Sequence, residues 1–226
     1  FKSSGMMLTC RKDMGVNSTD DLKGKTLGVW FYGNEYPFLS WMSRLGLATD
    51  GSANGVTVLK QGWGVEPLTE GQAACVSTMS YNEYWVVRDA GYTPEQLTVF
   101  KYQAEGASTL EDGLYVLEKN LGDDSFKDKM VRFVRASMKG WKYAEANPKE
   151  AASIILDNDD AGVQTEKHQL RMMGEIAKLT AGSNGSLDPS DYERTVKVLM
   201  SGASDPVITK EPSGAWTHDI TNAALN

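Results

Sequence analysis

A change in pattern near residue 105 most constrains how this 226-residue chain can fold. Before that point, short β-branched and aromatic runs such as 26–31 alternate with helical stretches such as 37–46. Strands that alternate with helices predict βαβ units and a largely parallel sheet. Beyond it the pattern is mostly helical, beginning with a long amphipathic stretch at 125–146. The sequence therefore predicts an α/β fold whose strands lie in the first half.

The individual elements follow from hydrophobic period and from capping and breaking residues. Ser18 and Asp21 stand in capping-box spacing and predict a short helical turn. We expect strands at 6–10, 26–31, 56–59, 73–79 and 97–102, helices at 37–45, 66–70, 84–90, 125–146, 151–156, 166–179 and 188–200, and a loop-rich tail from residue 201.

The helices of the second half have apolar stripes but little sheet of their own to cover. An amphipathic helix is stable only when its apolar face has a partner surface. We therefore expect the missing surface to come from a segment outside this sequence or from another chain. The stripe of the longest helix consists of Phe126, Met130, Phe133, Val134, Met138 and Trp141.

Charge and hydropathy argue against nucleic-acid binding and against a membrane-spanning segment. The formal net charge is −7, and an acidic chain repels phosphate backbones, so we expect no nucleic acid. No stretch approaches the roughly 20 apolar residues that span a bilayer. The first four residues do not resemble a signal peptide, which fits a signal already removed or an absent N-terminal portion.

The two cysteines, Cys10 and Cys75, lack the spacing of a zinc ribbon. The favoured interpretation is two buried small apolar side chains, because free cysteine is often buried. A disulfide would fit an exported chain. The sequence leaves both alternatives open.

No arrangement in the sequence predicts catalysis. The two histidines, His168 and His218, have no Cys, Asp or second His at metal-ligand spacing. There is no GxSxG, HExxH or P-loop motif. We therefore expect a binding protein that is not an enzyme, with no cofactor and no metal.

The candidate binding residues lie in turns that follow predicted strands. Ligands of open α/β domains sit at the carboxyl ends of strands, and flat aromatic side chains there suit a flat heterocycle. Each has a structural alternative: Trp30 as core, Asn82 as a helix cap, Glu111 as surface charge. The candidate ligand-binding residues are Trp30, Tyr32, Asn34, Glu35, Trp63, Tyr81, Asn82, Glu83 and Glu111.

Four segments resemble one family. The run from Asp20 to Val29, Asp-Asp-Leu-Lys-Gly-Lys-Thr-Leu-Gly-Val, resembles a segment of many type II solute-binding proteins of ABC importers. Tyr81-Asn82-Glu83 and Leu110-Glu111-Asp112-Gly113-Leu114 resemble segments of the branch that binds the pyrimidine precursor of thiamine. The tail at 207–224 is similar to the C-terminal end of that family.

This resemblance implies a periplasmic-binding-protein fold of type II. Such a fold has two lobes of mixed, mostly parallel sheet flanked by helices, and here one lobe is expected to be incomplete. The expected division is 1–24 as crossover, hinge and end of the first lobe, 25–104 as the complete second lobe, and 105–226 as the returning, mostly helical part of the first. Hinges are expected near 7–10 and 102–105.

The resemblance also implies a function. The chain is expected to be an extracytoplasmic component of an ABC importer, periplasmic or anchored as a lipoprotein in a Gram-positive cell. It would act as a monomer, bind a pyrimidine precursor of thiamine between its lobes and present it to a membrane permease. Riboflavin and sulfonates such as taurine are alternative ligands. The alternative from another class is an iron-dependent pyrimidine-synthesis enzyme of the same fold, although its cysteine-rich motif is absent here.

Overall fold

The computed structural model describes residues 3–201 and 206–225. Within them the chain forms two compact units. We call Ser4–Thr109 with Glu193–Glu211 the sheet unit, and Leu110–Tyr192 with Pro212–Asn226 the helical unit. The first long stretch of the sheet unit ends five residues beyond the expected boundary at 104, and it begins well before residue 25.

The sheet unit is built on one five-stranded sheet. Its strands are short and lie between turns that are rich in glycine and asparagine, as the β-branched runs predict. The strands are β1 (Met6–Arg11), β2 (Thr26–Val29), β3 (Thr57–Lys60), β4 (Cys75–Met79) and β5 (Leu97–Lys101), in the order β3-β2-β4-β1-β5.

Strand β1 gives the sheet its mixed character. The β2–β3 and β2–β4 pairs are parallel, as the βαβ pattern predicts, whereas β1 runs antiparallel to both β4 and β5. This strand is hydrogen bonded on both sides, and its side chains from Met6 to Cys10 are buried. The assignment of residues 1–24 to a crossover, a hinge and the end of a first lobe remains a prediction.

Three helices cover the two faces of this sheet: α1 (Glu35–Arg44), α2 (Glu66–Thr69) and α3 (Glu83–Asp89). On one face, Phe38, Trp41 and Met42 of α1 are fully or almost fully buried, as their helical spacing predicts. The Trp41 ring lies 5.4 Å from that of Phe100 in β5. On the other face, a second cluster includes Leu68 of α2 and Val87 of α3.

A disulfide joins the central strand β4 to its neighbour β1. Cys10 of β1 and Cys75 of β4 stand directly opposite each other in the antiparallel register, and both are fully buried. Of the two alternatives that the sequence leaves open, the structure therefore contains the bonded one. Both residues are also buried, as the favoured interpretation expects.

The helical unit contains α4 (Asp124–Ala146), α5 (Pro148–Asp157), α6 (Glu166–Thr180), the start of α7 (Pro189–Met200) and the whole of α8 (Asp219–Leu225). Asp123 caps α4 by accepting hydrogen bonds from two backbone N–H groups. The short helix α8 lies in the tail that was expected to be loop. Among the described residues, no helix combines the length and the apolar character needed to cross a membrane.

Candidate functional site

The carboxyl ends of β2, β3 and β4 meet at one edge of the sheet because the three strands are parallel neighbours. We call this the turn edge. Residues 30–35 follow β2, residues 61–64 follow β3, and residues 80–83 follow β4. Eight of the nine predicted site residues lie in these turns, and the exception is Glu111. In open α/β domains this is the edge at which ligands bind.

A buried glutamine holds the turn edge together. Gln61 follows β3 and reaches across β2 to the backbone of Ser77 in β4: its Nε2 donates to Ser77 O at 2.9 Å, and its Oε1 accepts from Ser77 N at 2.8 Å. Gly28 of β2 permits this crossing, since a Cβ there would lie 3.3 Å from Gln61 Oε1. The same amide donates to Gly64 O at 3.0 Å, which fixes the turn after β3.

Trp30 has both of the roles weighed for it. The side chain is half-buried and packs against the main core cluster, which is the structural alternative. Its indole Nε1 also donates to Gly62 O at 2.9 Å, so it joins the turn after β2 to the turn after β3. The indole ring therefore lies between the core and the turn after β3.

Tyr32 is held in an unusual conformation at the turn edge. Its φ is 64°, in the left-handed region, which costs a non-glycine residue about 1–2 kcal/mol. The side chain is nevertheless 91% exposed, so burial does not offset that cost. Backbone strain of this kind concentrates at functional sites.

Lys60, the last residue of β3, lies over the aromatic turn. Its Nζ is 4.6 Å from the centroid of the Tyr32 ring and 5.4 Å from that of Phe31, both within cation–π range. The same Nζ donates to Tyr32 Oη at 3.3 Å. The turn edge therefore contains a cation beside its aromatic side chains.

Asn34 and Glu35 shape the turn after β2. Asn34 Nδ2 donates to Phe31 O at 3.3 Å, and Glu35 Oε2 accepts from Gly33 N at 2.7 Å. Asn34 is exposed, and Glu35 is half-buried at the first position of α1. Both side chains are at the turn edge, but their hydrogen bonds are local.

Trp63 is 93% exposed in the turn after β3. A large apolar ring displayed this fully has no packing role in the sheet unit, so the core alternative does not apply to it. Together with Tyr32 it gives the turn edge two exposed aromatic side chains. Such rings on loops of a rigid scaffold are typical of binding sites.

The turn after β4 contains a half-buried carboxylate. Glu83 Oε2 accepts from Met79 N at 2.9 Å and Oε1 accepts from Asn82 Nδ2 at 2.7 Å. Burial raises the pKa of Glu83 above its ordinary value of 4.5, against the opposing effect of these hydrogen bonds. Asn82 occupies the N-cap position of α3, yet its side chain makes no capping bond and supports the carboxylate instead. Tyr81, beside it, is half-buried.

Glu111 belongs to the helical unit and is half-buried in a segment without regular secondary structure. It is therefore not among the residues that the sheet unit brings together at the turn edge.

Sequence reasoning missed three residues of this edge. Lys60 lies just outside the strand predicted at 56–59, Gln61 lies in the turn that follows it, and Ser77 lies in the strand predicted at 73–79. A polar residue directly after a parallel strand is a usable signal for such positions. The long-range bond between Gln61 and Ser77 has no local signature, because it depends on β2 lying between β3 and β4.

Among the described residues, no group of three or more His, Cys, Asp and Glu side chains could hold a metal ion. His218 interacts through Nε2 with Leu187 O at 2.8 Å, and its ring lies 4.7 Å from that of Trp216. His168 lies near the start of α6, where its backbone N–H donates to the capping Thr165. Both histidines belong to the helical unit.

Comparison with known proteins places the chain among relatives. A family model described as NMT1/THI5 like matches residues 1–151, and so does not reach the tail at 207–224. A solved structure from Bordetella bronchiseptica RB50 matches with a TM-score of 0.67 at 18% identity, covering 99% of this chain and 71% of that one. This likeness confirms the expected α/β fold with a mixed sheet flanked by helices.

A second solved structure comes from work on glutathione import in Gram-positive bacteria via GshT and the cystine ABC importer TcyBC of Streptococcus mutans. It matches at a TM-score of 0.33 and 15% identity, over 44% of this chain and 41% of that one. No curated protein matches this chain.

Proposed function

Because the chain belongs to the NMT1/THI5-like family, which confirms the resemblance seen in its sequence, we propose that it is the extracytoplasmic solute-binding component of an ABC importer. In this role it binds a small solute and presents it to a membrane permease. Family membership supports the solute-binding role, and the turn edge supports the kind of solute.

The proposal depends on one observation: the Tyr32 and Trp63 rings are exposed at the turn edge, whose turns are connected by hydrogen bonds. Both rings are more than nine-tenths exposed, while Trp30 and Gln61 join the turns beneath them by hydrogen bonds. Rings held ready on a rigid support lose little conformational freedom on binding, so stacking with a flat ligand is efficient. A small aromatic heterocycle is therefore the ligand class that we propose.

The favoured ligand is a pyrimidine precursor of thiamine. Aromatic faces would hold the ring, and Glu83 with Asn82 would accept and donate hydrogen bonds at its polar edge. Riboflavin offers a similar flat ring and is the alternative from the same ligand class. Taurine has no ring to stack, so it makes less use of the exposed aromatic side chains.

The disulfide supports an extracytoplasmic location. Buried disulfides persist in oxidising compartments and are rare in the cytosol, where thiols are kept reduced. The Cys10–Cys75 bond therefore fits a periplasmic protein, or a lipoprotein on the outer face of a Gram-positive membrane.

The alternative is an iron-dependent enzyme of pyrimidine synthesis. The two proposals differ in what the purified protein contains: a binding protein releases an intact ligand, whereas the enzyme requires stoichiometric iron. Metal analysis that finds one iron per chain would contradict the binding proposal.

A titration with three ligand classes tests the function. Wild-type protein is titrated by calorimetry with an aminopyrimidine, riboflavin and taurine. We expect heat of binding with one of the two aromatic classes and none with taurine. Trp63→Ala should weaken binding about fivefold or more, because one stacked pair contributes about 1 kcal/mol beyond area burial.

Leu45→Ala is the control, because Leu45 is an exposed apolar residue of the sheet unit at the C-terminal end of α1, whereas α1 begins at the turn edge. It should bind as the wild type does. Equal affinities of Trp63→Ala and wild type, or binding of taurine alone, would contradict the proposed site.

A further inference from the structure

Lys60 is the one feature of the turn edge that an uncharged heterocycle leaves unused. Within the described residues its only partners are Tyr32, through the hydroxyl and the ring, and the Phe31 ring. No carboxylate of that part of the chain lies at ion-pair distance from its Nζ. An ammonium group has three N–H donors, and the hydroxyl of Tyr32 accepts from only one.

The two carboxylates of the turn edge form hydrogen bonds within their own turns. Glu35 accepts a hydrogen bond from Gly33 N, and Glu83 accepts from Met79 N and Asn82 Nδ2. Neither carboxylate forms an ion pair with the exposed ammonium group at the end of β3. The Tyr32 ring beneath this cation is the one displayed by the left-handed backbone conformation.

We infer that Lys60 is a specificity-determining residue that recognises an anionic substituent of the ligand, so that the solute is an aromatic heterocycle with a phosphate or carboxylate group. This inference rests on the function proposed above and narrows its ligand class. The ring of such a ligand stacks on the exposed aromatic side chains while its anionic group meets the free ammonium donors.

The chemistry favours an anion over other partners for Lys60. A hydrogen bond between ions is roughly twice as strong as one between neutral groups, and lysine binds phosphate as a compact point charge. The ammonium already lies over two aromatic rings, so much of its side chain is positioned before the ligand arrives. An uncharged ligand would form weaker hydrogen bonds with the two remaining N–H donors than an anionic group would.

Matched ligand pairs test the inference. The first pair is riboflavin and riboflavin 5′-phosphate, and the second is a hydroxymethyl aminopyrimidine and its phosphate monoester. Within each pair the ring is constant and only the anionic group differs. We expect the phosphorylated member of the preferred pair to bind wild-type protein about tenfold more tightly in low-salt buffer, with the difference shrinking as salt is added.

Lys60→Met should abolish this preference, because the phosphorylated member loses about tenfold in affinity relative to whatever the uncharged member loses. Lys60→Arg should retain most of it. Lys12→Met is the control, because it removes the same charge from the sheet unit at the opposite edge, after the antiparallel strand β1. Circular dichroism and thermal melting of each variant establish that it is folded.

Three results would overturn the inference. The first is equal binding of both members of the pair by the wild type, and the second is a preference that survives Lys60→Met. The third is an equal loss of both members in Lys60→Met, which would mean that Lys60 only supports the Tyr32 ring. In these cases the uncharged member still binds, so the proposed function stands. No binding of either pair would overturn the proposed function as well.

Discussion

At the scale of single residues, Gly28 and Gln61 decide whether the turn edge can form. Gly28 faces both Val76 and the Gln61 amide, and a Cβ at this position would lie 2.9 Å from Val76 Cγ1. Two uncharged residues therefore set the spacing of three strand ends. Neither belongs to a recognisable motif, and both act through the strand order.

We expect Gly28→Ala to lower the free energy of unfolding by about 1–3 kcal/mol, the usual cost of overpacking a core. Equilibrium unfolding in urea measures the change. Gly122→Ala is the control, since an added Cβ there meets nothing within 4 Å. A Gly28→Ala variant as stable as wild type would show that the Gln61 crossing is not tightly packed.

Glu83 gives a pH dependence that can be measured without any ligand. Its pKa is raised in the folded chain, so the folded state holds this proton more tightly than the unfolded state does. The stability that Glu83 contributes is thus fully present below about pH 4.5 and is lost as pH rises through the folded pKa.

Relative to Glu83→Gln, wild-type protein should therefore become less stable between about pH 4.5 and neutrality. Thermal melting of both proteins across this range measures the difference. Glu118→Gln changes the same charge at an exposed position and should show no such trend. A pH-independent difference between wild type and Glu83→Gln would contradict the raised pKa.

The sequence best predicted those site residues whose side-chain type is unusual at their position. The aromatic turns and the polar run at 81–83 are visible because aromatic, glycine and asparagine residues are unusual directly after buried strands. The role of Asn82 was less predictable, since an N-cap position does not reveal whether its side chain caps the helix or supports Glu83. Lys60 could not be predicted, because a lysine at the end of a strand is common and its contacts with Phe31 and Tyr32 are visible only in the structure.

At the scale of elements, the β1–β4 pair is stabilised by a disulfide as well as by its backbone hydrogen bonds. The Cys10–Cys75 bond connects residues 65 apart in sequence and joins the central strand β4 to its neighbour β1. Cross-links that close long loops restrict the unfolded chain most strongly in the chain-entropy model.

Cys10→Ala/Cys75→Ala should lower the free energy of unfolding by about 2–4 kcal/mol relative to the oxidised wild type. Urea unfolding with and without reductant measures this. Reductant should destabilise the wild type towards the level of the double variant and leave the double variant unchanged. Two titratable thiols in the unfolded, unreduced wild type would show that the bond does not form.

The direction of β1 was the feature of the sheet that the local sequence did not predict. The βα alternation correctly indicates that β2, β3 and β4 are parallel, because each is followed by a helix that returns the chain. Only two short 3-10 helices, Lys12–Met14 and Thr19–Leu22, lie between β1 and β2, and β1 inserts antiparallel between β4 and β5. Its position depends on long-range pairing, which the pattern of Met6–Arg11 alone does not encode.

At the scale of the whole molecule, the two units differ in how completely they bury their apolar residues. Both core clusters of buried residues lie in the sheet unit. In the helical unit, several members of the predicted stripes remain accessible, and Phe133 is 53% exposed. That these helices lack a covering surface remains a prediction, and the monomeric state remains a proposal.

The apolar run at 114–117 is where that proposal can be tested. Leu114, Tyr115, Val116 and Leu117 are all exposed, in an extended stretch without regular secondary structure. Consecutive exposed apolar residues of this kind, rich in β-formers, favour association between chains. The wild type should therefore associate increasingly as its concentration rises, even if the dilute protein is a monomer.

Leu114→Ser/Leu117→Ser should stay monomeric to a concentration several-fold higher, as measured by light scattering after size-exclusion chromatography. Leu45→Ser in the sheet unit is the control, because Leu45 is exposed but isolated from other exposed apolar residues in sequence. Unaltered association in the double variant would place the associating surface elsewhere, with the Trp63 turn as the next segment to test.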